Sequence, residues 1–418
     1  MKQTDFDTLI VGGGAAGMMA AITAAEQGCR VRLLEKNDRP GRKLYITGKG
    51  RCNLTNDCPV QTVLENIPTN PKFLYSALRA FPPQRTMEYF TALGVPLKVE
   101  RGKRVFPVSD RAADVIDALR NRMRELRVEY ICCTVRELLS DNGRVVGVRT
   151  NDADYFAPTV LLATGGVSYP RTGSTGDGYT MARSVGHTIT PLTGSLVPLE
   201  EDGSLCAQLD GLTLKNVAVR LQNAAGKTVY EDFGEAVFTP FGLDGPTILS
   251  CSAHMGTADG FTVVFDLKPA LSEETLDAKL LRIFREEDVR TVSAALRKML
   301  PRQLISPILH LAELPFSQQK DTLSREARKR LIAALKHFPI RIRGKRPPEE
   351  AIVTSGGISV REVDPKTMES KKLSGLYLAG ELLDIDAYTG GFNLQIAWAT
   401  GYAAGNAIAA AKKERESI

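Results

Sequence analysis

An α/β fold that opens on a parallel βαβ unit is what this sequence predicts, and three observations carry it. Thr8–Val11 is a short, apolar, β-branched run; a glycine-rich turn and an Ala-rich helical stretch follow; and Arg30–Leu34 resumes as a buried strand. With 418 residues, 43% of them hydrophobic, the chain can bury real cores and has the length of about two to four domains. Charged residues at 24% and 36 glycines are ordinary globular usage, which excludes a disordered or fibrous chain. The balance of 54 Lys+Arg against 48 Asp+Glu gives +6, too mild to call for a polyanion, so nucleic acid is not an expected partner.

The first element begins without a basic leader, since Asp5 and Asp7 precede the first apolar run. Leu9–Ala25 is uncharged, but Gly12, Gly13, Gly14 and Gly17 interrupt it and it is shorter than a membrane span of about 20 residues. Strand, turn and helix is the better reading, and no membrane partner is expected. The seven cysteines form no framework and no paired C-x-x-C, which points to a reducing, cytoplasmic setting and to no metal site. Cys132 and Cys133 read as small core residues. Cys52 and Cys58 lack the spacing of a redox-active disulfide, so Cys52 reads as a packed residue.

In the turn, Gly12 permits the tight bend, Gly14 lets the backbone approach a pyrophosphate, and Gly17 allows the helix to pack closely on the strand. The helix, read as Met18–Gln27, ends at Gly28, and its N-terminus attracts the anion. Glu35 closes the second strand and would accept both ribose hydroxyls, which suits FAD or NAD rather than NADP. The competing reading is an ordinary glycine-rich βα turn with Glu35 on the surface. The other end of the chain chooses FAD. Leu376–Ala379 is a further apolar strand, and Asn393, Leu394 and Gln395 open an Ala/Gly-rich helix to Ala411 whose free N–H groups could face the flavin pyrimidine. Gly390 and Gly391 let that backbone come close.

GRKLYITGKGRCNLTN (41–56), RVFPVSDRAADVIDAL (104–119), ATGGVSYPRTGSTGDGY (163–179) and the run 355–395 ending in GGFNLQ resemble the FAD-dependent oxidoreductase family that contains the bile-acid-inducible 3-dehydro-bile-acid Δ4,6-reductase and the aminoacetone oxidases. The resemblance covers nearly the whole chain. It implies a Rossmann-like, GR2-type FAD-binding domain that is discontinuous, with an inserted β-rich domain and a small helical domain. The expected boundaries are 1–190 and 347–418 for the FAD domain, 191–271 and 338–346 for the β-rich substrate-side domain, and 272–337 for the helical domain.

The texture of the insertion agrees. Leu196–Glu200, Thr213–Gln222, Thr228–Asp232, Ala236–Thr239 and Phe261–Asp266 are short β-branched segments between turn residues, and Phe338–Gly344 returns as a strand. From Ser272 to His337 the apolar positions take a helical period, with Ser272 as a start signal and Pro301, Pro307 and Pro315 as breakers.

Carried across residue by residue, the resemblance implies cofactor contacts from Gly12, Gly14, Ala15, Ala16, Gly17, Glu35 and Lys36. A pyrophosphate-side segment follows at Gly41, Arg42 and Lys43, then Asn53 beside the flavin and Val135 at adenine. Ala163, Thr164 and Gly165 turn against the cofactor. Gly380, Glu381, Asp384, Asn393, Leu394, Gln395 and Ile396 complete the set; Asp384 could equally cap a local turn, and Arg51 could equally serve a structural salt bridge. Two departures stand out: Lys49 between Gly48 and Gly50, which either leaves the backbone less free or turns a charge toward an anionic group, and Pro240 and Asp244 in FTPFGLDGP where the family often has histidine and serine.

The activity so implied is reduction of the conjugated C=C of an enone such as a 3-oxo-Δ4 or Δ4,6 bile acid or steroid. NAD(P)H is the transient donor, its hydride passing through flavin to the β-carbon. Tyr169 and Tyr388 are the candidate proton donors, or else wall residues; His187 reads as structural. The alternative is an oxidase of a small amine or amino-ketone using O2. A third reading is a tRNA-interacting flavoprotein, for which Arg341–Pro348 supplies a basic run against the plainer reading of a solvated loop.

Overall fold

The computed structural model describes residues 5–255 and 259–417 and divides into two compact units, Met1–Ser195 with Pro348–Ile418, and Leu196–Pro347.

The first unit is built on a five-stranded, all-parallel sheet in the order Leu376–Leu378, Val160–Leu162, Thr8–Val11, Val31–Glu35, Glu129–Cys132. Thr8–Val11 lies at its centre, fully buried, as the continuous apolar run requires. The first helix spans Ala15–Glu26, beginning three residues before the predicted Met18, with Gly28 in the left-handed conformation just past its end. The terminal helix runs Phe392–Glu416, longer at both ends than the predicted Gln395–Ala411. These two helices meet through small residues: a Cβ on Gly401 would stand 2.4 Å from the Ala16 carbonyl oxygen, and one on Gly405 2.8 Å from that of Ala20. Ala16–Ala24 of the first helix are therefore all buried, and the terminal helix is largely buried from Phe392 to Ala409, while its charged last turns, 410–416, face water.

Three smaller sheets surround this core. Val135–Asp141, Arg144–Thr150 and Asp154–Phe156 form an antiparallel meander, and Thr55–Asn56 pairs with Arg104–Pro107, which also pairs with Leu97–Glu100. Thr193–Ser195 pairs with Val353–Ser355. Cys132 does not serve the core as predicted: it ends an edge strand and is exposed, whereas Cys133, just past the strand, is half-buried and packs against the core.

The second unit is a closed barrel in the order Leu199–Glu201, Gly242–Asp244, Thr228–Thr239, Thr213–Gln222, Thr262–Asp266, Phe338–Lys345, with helices that share its core. Four details correct the sequence reading. The first barrel strand starts at Leu199, because Leu196 has a positive φ of 56°. The two predicted strands 228–232 and 236–239 are one continuous strand, whose register shift against Thr213–Gln222 is absorbed within the ladder. Pro307 breaks nothing: it sits in the first turn of the helix Ile305–Leu311, where the missing N–H has no intrahelical partner to lose. The basic run after Ile340 is strand up to Lys345 rather than loop, with Ile340 and Ile342 facing the core and Arg341 and Arg343 facing out. Ser272 caps the helix Glu273–Phe284 by accepting from the Thr275 N–H, as its position predicts.

Candidate functional site

The βα turn shows why three glycines stand at this spacing. A Cβ on Gly12 would lie 2.5 Å from the Ala163 carbonyl oxygen, and one on Gly17 1.9 Å from the carbonyl oxygen of Gly12, so protein backbone forbids a side chain at both. At Gly14 a Cβ would meet no atom within 4 Å. Packing does not require glycine there; a ligand drawn up against the helix N-terminus does. Ala15 and Ala16 form the first turn beneath that space, with Ala16 buried.

Glu35 ends its strand as predicted, but its carboxylate is busier than predicted. It accepts from the Gly13 N–H at 2.7 Å, the Asn37 N–H at 2.8 Å and the Asn37 amide at 2.7 Å. With about four lone-pair directions per carboxylate, one acceptor position is left, enough for one ribose hydroxyl and not both. Lys36 donates to Thr175 and Asp177 at 2.5 Å each, which leaves its backbone as the part available to a cofactor. Gly41 closes the turn, its N–H on the Gly13 carbonyl at 2.9 Å. Arg42 is exposed and donates to Asn37 at 3.1 Å.

Lys43 is turned elsewhere. Its ammonium donates to Glu381 at 2.5 Å and to Ser168 at 2.6 Å, while Glu381 also accepts from the Ser168 hydroxyl and the Thr354 N–H, both at 2.9 Å. Burial alone would push the Glu381 pKa up; the Lys43 charge and these hydrogen bonds outweigh it and hold the carboxyl below the usual range. One carboxylate thus ties together the Arg42–Ile46 helix, the turn after Val160–Leu162, the strand Val353–Ser355 and the segment after Leu376–Leu378. Thr164, in that same turn, has a buried hydroxyl with no partner. Gly165 follows in the left-handed conformation, and Gly380 donates its N–H to Thr400 at 3.0 Å.

The second group of donors assembles around the terminal helix. Its first intrahelical bond is made by the Gln395 N–H to the Gly391 carbonyl at 3.1 Å, so the N–H groups of Phe392, Asn393 and Leu394 precede the ladder. Gln395 and Ile396 are therefore not among the free donors. The Gln395 side chain, fully buried, accepts from Thr55 at 2.7 Å and Thr86 at 2.8 Å and donates to the Phe81 carbonyl at 2.7 Å. The Asn393 amide is also engaged, accepting from the Ala387 N–H at 2.9 Å and donating to the Ala387 carbonyl at 2.7 Å. Gly391, at φ 98°, lets the turn lie on Thr55, whose carbonyl oxygen would be 2.4 Å from a Cβ there. Asn56 bonds across to the Gly390 carbonyl at 3.1 Å, and Trp398 to that of Leu54 at 3.0 Å. These bonds press the segment Asn53–Asn56 against the helix start, and the Asn53 amide oxygen is left buried without a partner. Two orphaned oxygens, on Asn53 and Thr164, and the open space at Gly14 fit a long ligand with polar groups along its length, as FAD is.

The remaining predicted residues fall less centrally. Val135 is buried and starts the meander just past the Glu129–Cys132 strand. Asp384 accepts from the Asn70 amide, through its carbonyl at 2.7 Å and its carboxylate at 3.3 Å, and burial pushes its pKa up. Arg51 takes the salt-bridge reading, paired with Glu100 and Asp110 and stacked 4.1 Å over Phe106. Tyr169 stands in a left-handed turn, its carbonyl accepting from Thr172. Tyr388 donates its N–H to Asn66 at 3.0 Å, and burial, then the Asp386 charge, pushes its phenol up. His187 is buried between Glu362 at 3.2 Å and Ser370 at 2.7 Å. Burial pushes the Cys52 thiol up to about 12 and the Cys58 thiol up to about 11. Sequence reasoning missed Asn37, Thr55, Ser168 and Thr354; Thr55 and Ser168 were signalled only by their place inside the GRCN and ATGGVS blocks, and Asn37 and Thr354 lie outside every quoted block.

Known proteins match this arrangement from end to end. A family model described as the HI0933-like protein Rossmann domain covers residues 6–407. A 3-dehydro-bile acid delta(4,6)-reductase of Clostridium scindens is 34% identical over 407 residues, 96% of this chain and 98% of the relative. A ribosomal RNA dihydrouridine synthase of Escherichia coli is 30% identical over 417 residues, 97% of this chain and 99% of the relative. Among solved structures, the 3-ketosteroid-delta4-(5alpha)-dehydrogenase of Rhodococcus jostii RHA1, in complex with 4-androstene-3,17-dione, superposes with a TM-score of 0.51 at 18% identity, covering 98% of each chain, a likeness of fold.

Proposed function

The chain belongs to the HI0933-like Rossmann family and is an FAD-dependent oxidoreductase, and from that premise we propose that it reduces a carbon–carbon double bond conjugated to a carbonyl, with NAD(P)H as electron source. What carries the reading is that full-length relatives named for different substrates name one bond change. A Δ4,6 reduction of a 3-oxo compound and the conversion of uridine to dihydrouridine both saturate an alkene in conjugation with a carbonyl. A small 3-oxo-Δ4 or Δ4,6 enone is the substrate we favour; a uridine in ribosomal RNA is the second reading, and those relatives favour it.

Bound FAD supplies the hydride chemistry. The chain supplies placement: Gly14 and the first helix for the pyrophosphate, Glu35 for a ribose hydroxyl, Asn53 and the N–H groups of Phe392–Leu394 for the opposite end. A proton must also reach the α-carbon. Tyr169 and Tyr388 are the candidate donors, and Tyr388 is favoured because it stands just before the Phe392–Leu394 helix start in the chain. A dithiol relay is not part of the proposal, since Cys52 and Cys58 are buried and their thiols stay protonated.

The test is anaerobic. Purified enzyme is reduced with NADH or NADPH, then mixed with a panel of 3-oxo-4-ene and 3-oxo-4,6-diene compounds, unmodified ribosomal RNA, and small amines. Rapid reoxidation by an enone with formation of the saturated ketone supports the proposal. Reoxidation by RNA alone selects the second reading. Reduction of the resting enzyme by an amine, with fast peroxide release in air, makes it an oxidase and overturns both.

A further inference from the structure

The terminal helix turns two unlike faces to the first unit. Gly401 and Gly405 press on the first helix, whereas Ala410, about two and a half turns beyond Gly401, lies on the opposite side. There the helix floors a groove of about 410 Å³, within the range of about 300–1,000 Å³ that small-molecule sites occupy. The floor is apolar, made by Ala403, Ala407 and Ala410. Arg85 and Ser76 reach the groove from the helices Pro83–Ala92 and Tyr75–Ala80, and Lys366 and Thr367 from the turn after Asp364. Arg85 is fixed: its guanidinium stands 4.6 Å over the Tyr402 ring and donates to the Tyr402 hydroxyl at 2.8 Å and to the Ala80 carbonyl at 2.9 Å. Three of its five N–H donors remain. The backbone that carries it is fixed as well, since the Phe81 carbonyl and the Thr86 hydroxyl both bond the buried Gln395 amide. Lys366 and Thr367 are set by their N–H groups on the Asp364 carboxylate at 2.8 and 3.0 Å. The Thr367 hydroxyl accepts from the Glu369 N–H at 3.2 Å and keeps its own proton to give. Among the described residues no carboxylate lines the groove, and none pairs with the Arg85 guanidinium or the Lys366 ammonium.

We propose that this groove binds a phosphate monoester on a small organic body, at a site separate from the cofactor's. Two cations without a counter-charge balance the charge of about −1.5 to −2 that a phosphate monoester carries at pH 7, where a carboxylate or a phosphodiester brings one. Its terminal oxygens can take the guanidinium fork and the ammonium together, and the alanine floor leaves room for the body. The terminal helix, about 10 Å across, stands between the groove and the first helix that opens at Gly14, so this phosphate is not the cofactor's pyrophosphate. The assignment holds whichever bond the flavin reduces.

The FAD-loaded protein, in phosphate-free buffer, is titrated by calorimetry with AMP, adenosine, inorganic phosphate and the methyl ester of AMP, a diester. AMP binds one to one, adenosine binds at least about tenfold more weakly, and the diester loses about two- to fivefold, the worth of one exposed charge contact. Inorganic phosphate displaces AMP and binds more weakly than it; free phosphate binding the tighter of the two overturns the ester. Arg85→Gln weakens AMP by about tenfold or more, the loss of charge-assisted hydrogen bonds, and Lys366→Glu abolishes its binding. Lys366→Glu keeps the wild-type melting temperature without ligand, because that side chain is exposed and bonds no described residue, so its result stands even if Arg85→Gln fails to fold. AMP binding equal in wild type and Lys366→Glu lies elsewhere on the protein and overturns the proposal. So does adenosine bound as tightly as AMP, or an RNA oligonucleotide without a terminal phosphate bound in place of AMP.

Discussion

Removing the Glu381 carboxylate tests how the four cofactor-side segments are held together. Glu381→Ala deletes the acceptor of three donors, Lys43 at 2.5 Å and Ser168 and Thr354 N–H at 2.9 Å. Breaking a buried ion pair by removing one partner costs about 3–5 kcal/mol, and the Lys43 side chain keeps 22% of its exposure, which places this case near the lower end, about 3 kcal/mol. Glu381→Gln keeps the shape and an acceptor oxygen but not the charge, and loses about 1.5–3 kcal/mol. At roughly 2–4 °C per kcal/mol for a unit of this size, Glu381→Ala melts about 6–12 °C below wild type, with Glu381→Gln between them. The assay is thermal melting followed both by circular dichroism and by flavin release. The pH dependence gives a second check. Because the carboxyl is held below its unfolded value of about 4.3, its contribution is complete above that pH and is lost as the pH falls through the folded value. The gap between wild type and Glu381→Gln therefore closes on acidification below about pH 4. A Glu381→Gln variant that melts with wild type at pH 7, or a gap constant from pH 7 to pH 3, would refute the clamp.

Gly391→Ala sets a Cβ 2.4 Å from the Thr55 carbonyl at a φ of 98°, so it costs about 2–4 kcal/mol and strips FAD, read as flavin content after gel filtration; full flavin content would show that the two segments need not touch. Asn53→Leu and Thr164→Val remove buried oxygens without partners, so the apoprotein holds its melting temperature while the FAD Kd, measured by calorimetry, rises roughly 5–150-fold for about 1–3 kcal/mol each; the opposite pattern would make both residues structural. At pH 8 Ellman's reagent titrates one thiol quickly in the native protein, and Cys132→Ser abolishes that phase, because Cys132 is exposed while burial pushes Cys58 and Cys133 to about 11 and Cys52 to about 12.

What the sequence made legible was whatever neighbours in the chain decide. Gly12, Gly14 and Gly17 could be given separate roles, and Glu35 its strand end, because strand, turn and helix follow one another within a few tens of residues. The second group of donors was legible only as a type of backbone. Gln395 looked like a cofactor ligand, yet its amide bonds Thr55, 340 positions away, and an amide side chain carries no mark of whether its partner will be ligand or core. Lys43 read as a phosphate ligand for the same reason; the carboxylate that claims it lies 338 positions on. Cys132 was misjudged because an apolar run does not say whether its strand will be central or at the edge of the sheet.

The Gly401 and Gly405 contacts with Ala16 and Ala20 have a consequence for folding order. The helix Phe392–Glu416 packs on the helix Ala15–Glu26 although most of the chain lies between them, so this contact carries a large loop-closure cost, whereas the barrel and its helices are encoded in one continuous stretch and can be finished without it. Until the two helices meet, the first has one face without its partner and the N–H groups of Phe392–Leu394 are not in place. Cofactor capture is thus a late folding event, and deleting residues 392–416 removes helix packing and flavin binding in one step.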